Sequence, residues 1–581
     1  MLNSIIKILK ILDFKKKKEF KILIVLMFFS MLLETIGIGA MIPLINFFTD
    51  QNIILPYNIN FSETLLSFGI SENHIINIIL IIIVTIFLLK NIYLGFYSWI
   101  ESKFAYKIRF DLGVRLFNKY LYSPYEFHLS NNSANLTTKI VQESANYGAA
   151  LISLSTLLTE MLIVFGLVTF LLIIKPQETI IIILIGFISS TIFYLALKKL
   201  ISRWGKKREL SEKARMKSLK QGLGGIKDII FYKAQRYFVD IFHSDSDDTS
   251  EVSFKMYFTG KLPRVWFEMI AVIIMTFVIF YLSFKEANSS EIMATIGIFL
   301  ISSIRIIPSI NRILTSLQTI KFYEPTLDSI LADLDSKNLK LPSINKTDGT
   351  KSKIDFKKEI KFNNVYFNYS KSEKDALKNI SLTIKKNEFV GIVGETGSGK
   401  STLVDLFIGL LKPTKGTITV DGKDVSDNLE IWKDSLGYVP QNFYLLDESV
   451  KNNIAFGYKE NQIDVAKVEN SIEKSQLTKF IKDLKNDSSS NIGERGVNIS
   501  GGEKQRIGIA RALYNDPDIL LFDEATSSLD SETEKRILET LIKFKKNKTI
   551  IFITHRNSSL SYCDKVFKIQ NKEIKEIKNN F

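Results

Sequence analysis

A glycine-rich segment carries the clearest chemistry in this 581-residue sequence. Residues 394–401 read Gly-Glu-Thr-Gly-Ser-Gly-Lys-Ser, after an apolar run at 389–393 and before a helical run at 402–410. Glycines let backbone N–H groups surround phosphates, and the start of the next helix favours the anion. The lysine can reach the β and γ phosphates of a nucleotide, and the serine can coordinate Mg²⁺. We predict nucleotide contacts by Gly394, Glu395, Thr396, Gly397, Ser398, Gly399, Lys400, Ser401 and Thr402.

Two acids and a histidine follow other apolar runs. The run 518–522 leads into Asp523 and Glu524, and the run 549–554 leads into His555. The first carboxylate can hold the Mg²⁺ shell, while the second can polarise water for attack on a phosphate. Two acids seldom end a buried strand for packing alone, because burying a charge is costly. A lone histidine is usually structural, but its place at a strand end favours a γ-phosphate contact.

The elements that position these residues change character near residue 360. From there, short apolar runs alternate with helical segments; the runs are IKFNNVYF, SLTI, FVGIVG, GTITV, LGYVP, DILLFDE and TIIFITH. This alternation predicts an α/β domain at 358–581 with a largely parallel sheet. The preceding residues, 336–357, are polar and rich in Lys, Ser, Asn and Asp, which predicts a linker.

The first part of the chain, residues 1–335, is apolar in long stretches. These lie near 20–48, 75–100, 147–174, 178–197, 265–284 and 291–320. Several are longer than the roughly 20 residues that a bilayer requires. We therefore predict a membrane bundle of six transmembrane helices, followed by an α/β P-loop nucleotide-binding domain.

Loop charges predict the orientation of the bundle. Residues 50–72 contain three acids and no Lys or Arg, whereas residues 101–135 contain five basic side chains. Basic loops stay in the cytoplasm, so the N-terminus and the nucleotide-binding domain are expected there. Residues 1–360 carry 42 basic and 30 acidic side chains, against 34 and 31 in residues 361–581. The excess of basic side chains in residues 1–360 accounts for most of the net charge of +15. Since cytoplasmic loops of a membrane protein explain this excess, we expect no nucleic-acid partner.

Composition excludes two further classes. The single cysteine, Cys563, can form no intrachain disulfide, so a disulfide scaffold is ruled out. Four histidines and one cysteine leave little for a structural zinc site.

Residues 500–506, Ser-Gly-Gly-Glu-Lys-Gln-Arg, complete a resemblance to ATP-binding cassette (ABC) transporters. In that family two cassettes face each other across the bound nucleotides. The resemblance implies that Ser500, Gly501, Gly502 and the adjoining Glu503 approach the ATP held by residues 394–401 of the other subunit. It also implies an ATPase with ATP and Mg²⁺ as cofactors.

The same resemblance assigns roles to single residues. It implies that Tyr369 stacks on adenine, that Gln441 senses Mg²⁺ and couples to the membrane domain, and that Asp530, after Ser528 and Leu529, links the two sites. Glu524 matches the catalytic base and His555 the switch histidine. The implied metal ligands are Ser401, Gln441 and Asp523.

Two departures and one further segment qualify the resemblance. Ile499 stands where the family usually has Leu, and Glu503 where it usually has Gln, which affects the expected turnover rate more than ATP binding. Residues 493–496, Gly-Glu-Arg-Gly, resemble the exporter-type segment that touches the membrane domain. One membrane half and one cassette in one chain imply a half-transporter that acts as a homodimer.

Ionisable side chains at bilayer depth are candidates for substrate binding. They are Glu34, Lys90, Glu160, Glu268, Arg305 and Arg312. The two arginines are seven residues apart and so share a helix face. We predict that Lys90, Arg305 and Arg312 contact an anionic substrate such as a pyrophosphate, with about six cations in a dimer. Snorkelling to the membrane interface is the alternative, and Glu34 and Glu268 are expected to be structural partners of basic residues.

The membrane half resembles that of bacterial flippases that move lipid-linked oligosaccharides for protein N-glycosylation. The likeness rests on residues 305–313, on Pro263-Arg264 with Glu268, and on Glu34-Thr35 with Pro43. It implies a polyprenyl-pyrophosphate-linked glycan as substrate, with membrane lipid as a partner, at the bacterial inner membrane. An exporter of peptides or hydrophobic drugs is the alternative, and a nucleotide-gated channel or regulatory subunit is a third. Residues 61–70 could form a short external helix.

Overall fold

The computed structural model describes residues 2–49, 72–284, 289–335, 354–369, 375–493, 496–526 and 529–578. The chain divides into two compact units, Met1–Ser343 and Ile344–Phe581. The possible helix at 61–70 and most of the predicted linker, residues 336–353, lie outside the described residues.

The first unit is helical throughout its described residues. Its helices are α1 (Leu2–Ile11), α2 (Phe14–Gly39), α3 (Ile42–Thr49), α4 (Glu72–Leu121), α5 (Tyr125–Ser130), α6 (Ser133–Thr138), α7 (Ser144–Ile174), α8 (Pro176–Gly224), α9 (Ile226–Phe231), α10 (Gln235–Phe284), α11 (Ser289–Phe322) and α12 (Glu324–Asp335). A π-helical turn, Lys139–Glu143, joins α6 to α7. Six segments are long and apolar enough to cross a membrane: Phe14–Ile45, Asn77–Leu121, Ser133–Ile174, Pro176–Gly224, Gln235–Phe284 and Ile292–Phe322. The prediction of six transmembrane helices is confirmed.

Three of these helices continue well past their apolar runs. Helices α4 and α10 contain 50 residues each and α8 contains 49. At about 1.5 Å per residue each spans roughly 75 Å, whereas the apolar core of a bilayer is about 30 Å thick. The polar, basic segments between the apolar runs are therefore helical extensions of the membrane bundle.

Small residues let the membrane helices approach closely. A Cβ atom on Gly166 of α7 would lie 2.7 Å from Thr35 Oγ1 of α2, and one on Gly37 would lie 3.3 Å from Lys90 Cδ of α4. Helices α2, α4 and α11 all pack against α7. These contacts bring together the four helices that carry Glu34, Lys90, Glu160 and Arg305.

The second unit contains two sheets. Its strands are β1 (Glu359–Phe367), β2 (Leu377–Lys385), β3 (Phe389–Gly394), β4 (Lys415–Val420), β5 (Lys423–Asp424), β6 (Leu436–Val439), β7 (Ile519–Asp523), β8 (Thr549–Ile553), β9 (Lys565–Gln570) and β10 (Glu573–Ile577). Its helices are α13 (Lys400–Phe407), α14 (Leu429–Asp434), α15 (Val450–Ile454), α16 (Val465–Lys474), α17 (Thr478–Lys482), α18 (Gly501–Leu513), α19 (Ser531–Phe544) and α20 (Asn557–Leu560). One sheet has the order β10-β9-β3-β8-β7-β6, and the other has the order β2-β1-β4-β5.

Only one of these sheets is the predicted parallel sheet. Strands β9, β3, β8, β7 and β6 run parallel, and β10 is antiparallel to β9. The runs at β1, β2 and β4 form a separate antiparallel sheet. The burial patterns explain the difference: all of β8 is buried, whereas buried and exposed residues alternate along much of β1 and β2. A strand that is covered on both faces is a continuous apolar run in the sequence. In a strand with one exposed face, apolar and polar residues alternate.

Candidate functional site

The phosphate loop lies between β3 and α13, as the sequence predicts. The strand ends at Gly394 and the helix begins at Lys400. Gly397 and Gly399 have φ values of 80° and 109°, which favour glycine. A Cβ atom on Gly399 would also lie 2.6 Å from Leu377 Cδ2. The loop therefore needs glycine for its backbone conformation and for its contact with β2.

The side chain of Lys400 is buried inside this loop. Its Nζ donates hydrogen bonds to the carbonyl oxygens of Gly394, at 2.7 Å, and Glu395, at 3.0 Å. These bonds hold the ammonium where the loop backbone surrounds it. A positive charge at that position suits a polyphosphate at the start of α13.

Tyr369 lies beside the start of the same helix. Its hydroxyl is 3.1 Å from Thr402 Oγ1, and its ring meets Phe367 edge-on at a centroid distance of 4.9 Å. The residue lines the same cleft as the phosphate loop. This position is compatible with the predicted stacking on adenine.

Glu524 is the centre of the second part of the site. It follows β7 with a φ of 50°, in the left-handed region that non-glycine residues rarely adopt. Gln441 Nε2 donates to its Oε2 at 2.8 Å, and His555 Nε2 lies 3.0 Å from its Oε1. The structure thus brings together three residues that are far apart in sequence. Backbone strain of this kind is often found at functional sites.

Asp523 and Asp405 are two partly buried acids near the loop. Burial raises the pKa of Asp523 to about 6; the negative charge of Glu524 adds to the shift, and Lys400 opposes it. Burial, followed by repulsion from Asp523, raises the pKa of Asp405 to about 6. The sequence analysis did not identify Asp405, although an acid amid the apolar residues of α13 was a visible signal.

The donor set suits Mg²⁺. Ser401 offers a hydroxyl, Asp523 a carboxylate, and Gln441 keeps its amide oxygen because its nitrogen binds Glu524. The described residues contain no group of three or more His, Cys, Asp or Glu side chains that could hold a metal by themselves. Mg²⁺ is commonly held by one or two carboxylates together with substrate phosphates, so the residues present fit this ion.

The signature residues form the start of α18. Ser500 Oγ accepts from the Glu503 backbone N–H at 3.3 Å, and Glu503 Oε2 accepts from the Ser500 backbone N–H at 2.7 Å. This is a capping box, in which Glu and Gln are interchangeable. The departure at Glu503 therefore keeps the helix start intact while it adds a negative charge.

Asp530 has a similar position at the start of α19. It caps the helix by accepting from the Thr533 backbone N–H at 2.9 Å, and this bond lowers its pKa. Ser528, Glu494 and Arg495 lie outside the described residues.

Ten of the predicted nucleotide residues line one cleft of about 580 Å³, whereas Gly394, Glu395, Ser398 and Asp523 are not part of its lining. Its lining comprises Tyr369, Asp375, Ala376, Thr396, Gly397, Gly399, Lys400, Ser401, Thr402, Gln441, Glu524, His555 and Lys572. The signature residues 500–503 and Asp530 are not part of this lining, so their predicted contact with the nucleotide of a second subunit stays a prediction. The sequence analysis did not identify three residues of this lining, which are Asp375, Ala376 and Lys572.

Known proteins resemble both units. The family model for the ABC transporter matches residues 377–527, and that for the ABC transporter transmembrane region matches residues 22–307. The ATP-dependent lipid A-core flippase of Photorhabdus laumondii is 30% identical over 487 residues, which cover 82% of this chain and 81% of that protein. This chain belongs to the ABC transporter family. The flippase of the same name from Cupriavidus pinatubonensis is 28% identical over 493 residues, covering 82% of the transporter and 80% of that protein.

The fold of the transporter agrees with that of a solved exporter. A bacterial Atm1-family ABC exporter with ATP bound matches with a TM-score of 0.74 and 20% sequence identity, covering 93% of this chain and 94% of the other. The transporter is thus an exporter-type half-transporter, a multi-pass membrane protein whose cassette is an ATPase coupled to transport.

The predicted substrate residues of the transporter belong to an ion-pair cluster built around two buried carboxylates. Glu34 Oε2 accepts from Lys90 Nζ at 3.2 Å, and its Oε1 lies 3.1 Å from Arg305 Nε. Glu160 Oε1 lies 2.6 Å from Arg312 Nη1, and its Oε2 lies 3.4 Å from Arg305 Nη1. Arg305 thus bridges two carboxylates, and the two arginines share a helix face as predicted.

The carboxylates change the charge expected for this cluster. Three cations and two anions give a net charge of 3 − 2 = +1 per chain, so the carboxylates offset two of the three positive charges. The prediction that Glu34 pairs with basic residues is borne out by these contacts. Glu268 pairs with Arg264 one helical turn away, at 2.8 Å.

Glu160 and Ser309 are the two members whose roles the sequence did not reveal. Ser309 Oγ donates to Glu160 Oε2 at 2.7 Å and accepts from Arg305 Nη1 at 3.2 Å. The Glu160 side chain is 4% exposed, whereas that of Arg312 is 54% exposed. Arg312 is therefore the member of the cluster that a ligand can reach most easily.

Proposed function

We propose that two copies of this half-transporter form a homodimer in the inner membrane of a bacterium and use ATP to flip a polyprenyl-pyrophosphate-linked oligosaccharide. The N-terminus and the cassette lie in the cytoplasm. Residues 1–335 form the transmembrane domain, 336–357 the linker and 358–581 the cassette. The observation that carries the substrate proposal is the ion-pair cluster, in which Arg312 is half exposed within a membrane-spanning helix.

The cluster suits an anionic headgroup that competes with Glu160. Arginine binds phosphate groups through paired, charge-assisted hydrogen bonds. In the structure, Glu160 accepts from Arg312 and lies within ion-pair distance of Arg305. A pyrophosphate can replace one carboxylate oxygen at Arg312, which leaves Glu160 bound to Ser309. A buried charge without a partner is costly, so the carboxylates keep the arginines stable between transport cycles.

In the cassette, Glu524 is the general base that polarises the attacking water. His555 Nε2 lies 3.0 Å from Glu524 Oε1, and we expect His555 to contact the γ-phosphate of bound ATP. Gln441 occupies the other Glu524 oxygen, so the base is held by a donor on each side. Mg²⁺ would be held by Ser401, Asp523 and Gln441, and it would neutralise part of the negative charge of the phosphates. ATP binding closes two cassettes and shifts the membrane helices, and hydrolysis resets them.

A second substrate candidate is the lipid A-core itself. Relatives with 28% and 30% identity over four fifths of the chain are named ATP-dependent lipid A-core flippases. Their names favour flipping of a glycolipid over export of a peptide or drug. The two lipid candidates differ in their lipid and in their glycan, so transport of purified substrates separates them.

The test is ATP-dependent translocation in proteoliposomes. Three substrates are compared: a short fluorescent polyprenyl-pyrophosphate oligosaccharide, a labelled lipid A-core and a hydrophobic dye. We expect movement of the first, lost in Glu524→Gln and reduced at least tenfold in Arg312→Ala. Arg203→Ala, which changes an exposed arginine on α8, is the matched control and should transport normally.

Two other outcomes would each support a different substrate. Movement of lipid A-core without the polyprenyl substrate would support the second candidate. Dye transport that is undiminished in Arg312→Ala, with no lipid movement, would support a peptide or drug exporter instead.

A further inference from the structure

The turn between β9 and β10 carries a lysine in an unfavourable backbone conformation. Asn571 and Lys572 join the two strands, with φ values of 53° and 68°. Two-residue hairpin turns with positive φ at both positions favour Asn followed by Gly. Glycine adopts this conformation without strain, whereas lysine does not. A lysine at this position points to a role for its side chain.

Strand pairing places this turn next to the phosphate loop. In the parallel pair of β3 and β9, Gly394 is opposite Ile569. A Cβ atom on Gly394 would lie 2.8 Å from the Ile569 carbonyl oxygen. The chain reaches Lys572 three residues later, beyond the carboxyl end of β3. Nucleotides bind at the carboxyl ends of parallel strands, so the turn lies at the edge of the sheet where ATP is expected.

The contacts of Lys572 hold it at the cleft. Its backbone carbonyl accepts from the Lys378 N–H at 2.8 Å, and its Nζ donates to the Asp375 carbonyl oxygen. Ala376, the residue after Asp375, lies close to the phosphate loop. Its carbonyl oxygen would be 3.1 Å from a Cβ atom on Gly399. Lys572 therefore lines the nucleotide cleft, and its ammonium donates a hydrogen bond to a neutral carbonyl oxygen.

We propose that Lys572 is a nucleotide-binding residue whose ammonium contacts the phosphate chain of ATP or ADP. The ammonium exchanges the Asp375 carbonyl for a phosphate oxygen, because a charge-assisted bond to an anion is stronger than one to a neutral acceptor. Lys572 has no bond to Glu524, Gln441 or His555 among the described contacts. Its predicted effect is therefore on nucleotide affinity.

The first experiment measures binding of fluorescent ATP and ADP analogues to the full-length transporter in lipid nanodiscs. Lys572→Met should weaken both by roughly 3- to 10-fold, which is the usual value of one exposed charge-assisted contact. Lys572→Arg, which keeps the positive charge, should restore most of the affinity. Lys575→Met, on the exposed side of β10 in the same hairpin, is the matched control and should bind as the wild type does.

A second variant separates binding from folding. Lys572→Gly removes the side chain and suits the positive φ, so its thermal unfolding midpoint should equal or exceed that of the wild type. We expect its nucleotide affinity to fall as in Lys572→Met. The proposal is overturned if Lys572→Gly binds both nucleotides normally, or if Lys572→Met loses affinity only together with its thermal stability.

Discussion

In the cassette, the reactive side chains lie at the ends of adjacent buried strands, whereas in the membrane unit the charged side chains come from the interior of four helices. Asp523 is the last residue of β7 and His555 follows the neighbouring strand β8, which pairs with β7. Glu34, Lys90, Glu160 and Arg305 come from α2, α4, α7 and α11. The first site is organised by one sheet edge and the second by packing of whole helices.

The charged side chains of the two units also differ in their partners and in their exposure. In the cassette, one carboxylate is held by two hydrogen-bonding side chains in an open cleft. In the membrane unit, Glu34 and Glu160 each pair with two cations and are almost fully buried. In the proposed mechanism Glu524 takes part in the chemistry, whereas Glu160 stabilises the neighbouring arginines and competes with an anionic substrate. The following predictions test that contrast.

The largest effect should come from Glu524→Gln. The amide cannot accept a proton, so ATP turnover should fall by about 100- to 1,000-fold while ATP still binds. Phosphate release and nucleotide binding are measured on the same preparation. Glu539→Gln, an exposed residue of α19, is the control and should hydrolyse ATP normally. Unchanged hydrolysis in Glu524→Gln would remove its assigned role.

Glu160→Ala should destabilise the membrane unit. The substitution leaves Arg305 and Arg312 short of a carboxylate, which should lower the free energy of unfolding by about 2 to 3 kcal/mol; Arg312 can still reach solvent, which limits the cost. Denaturant titration in detergent micelles measures the change. Glu268→Ala, which breaks the exposed pair with Arg264, should leave stability almost unchanged. Equal effects of the two variants would contradict the contrast between buried and exposed pairs.

Glu160→Gln should sharpen the competition between Glu160 and an anionic lipid. The amide can keep the bond from Ser309 but loses its charge, so the cluster changes from +1 to +2. The half-saturating concentration of the pyrophosphate lipid in stimulating ATP hydrolysis should fall by about 3- to 5-fold, a modest electrostatic gain at a partly solvated site. Basal hydrolysis without lipid should be retained. An unchanged half-saturating concentration would show that Glu160 does not compete with the substrate.

The smallest expected effect is the pH dependence of the stability of the cassette. Asp405 and Asp523 have pKa values raised to about 6, above the 3.8 of an unperturbed carboxyl. The folded state therefore binds their protons more tightly than the unfolded state does. Their contribution to stability is fully present below pH 3.8 and is lost as the pH rises through about 6.

Hydrogen exchange of the β7 amides in the full-length protein can measure this loss. Protection should decrease between pH 5 and pH 7.5, after correction for the intrinsic exchange rate. Asp405→Asn, which cannot ionise, should show a smaller decrease. The same decrease in the variant would exclude Asp405 as a source of the pH dependence.

Local patterns account for the parts of this protein that the sequence predicted well. The phosphate loop follows directly from Gly394 to Ser401, because its strand, turn and helix start are contiguous. The six transmembrane helices follow from apolar length alone, since a bilayer requires a fixed span. The hairpin of β9 and β10 was also visible in principle, from two short apolar runs separated by Asn571 and Lys572.

The tertiary structure decided which charges meet. The sequence shows that Glu160 and Arg312 lie at bilayer depth, but they are 152 residues apart and only helix packing makes them an ion pair. Likewise, Glu524 acquires Gln441 and His555 as partners because strands distant in sequence end at one sheet edge. Composition and periodicity report on neighbours along the chain, whereas the net charge of the membrane cluster and the position of Lys572 at the cleft depend on long-range contacts.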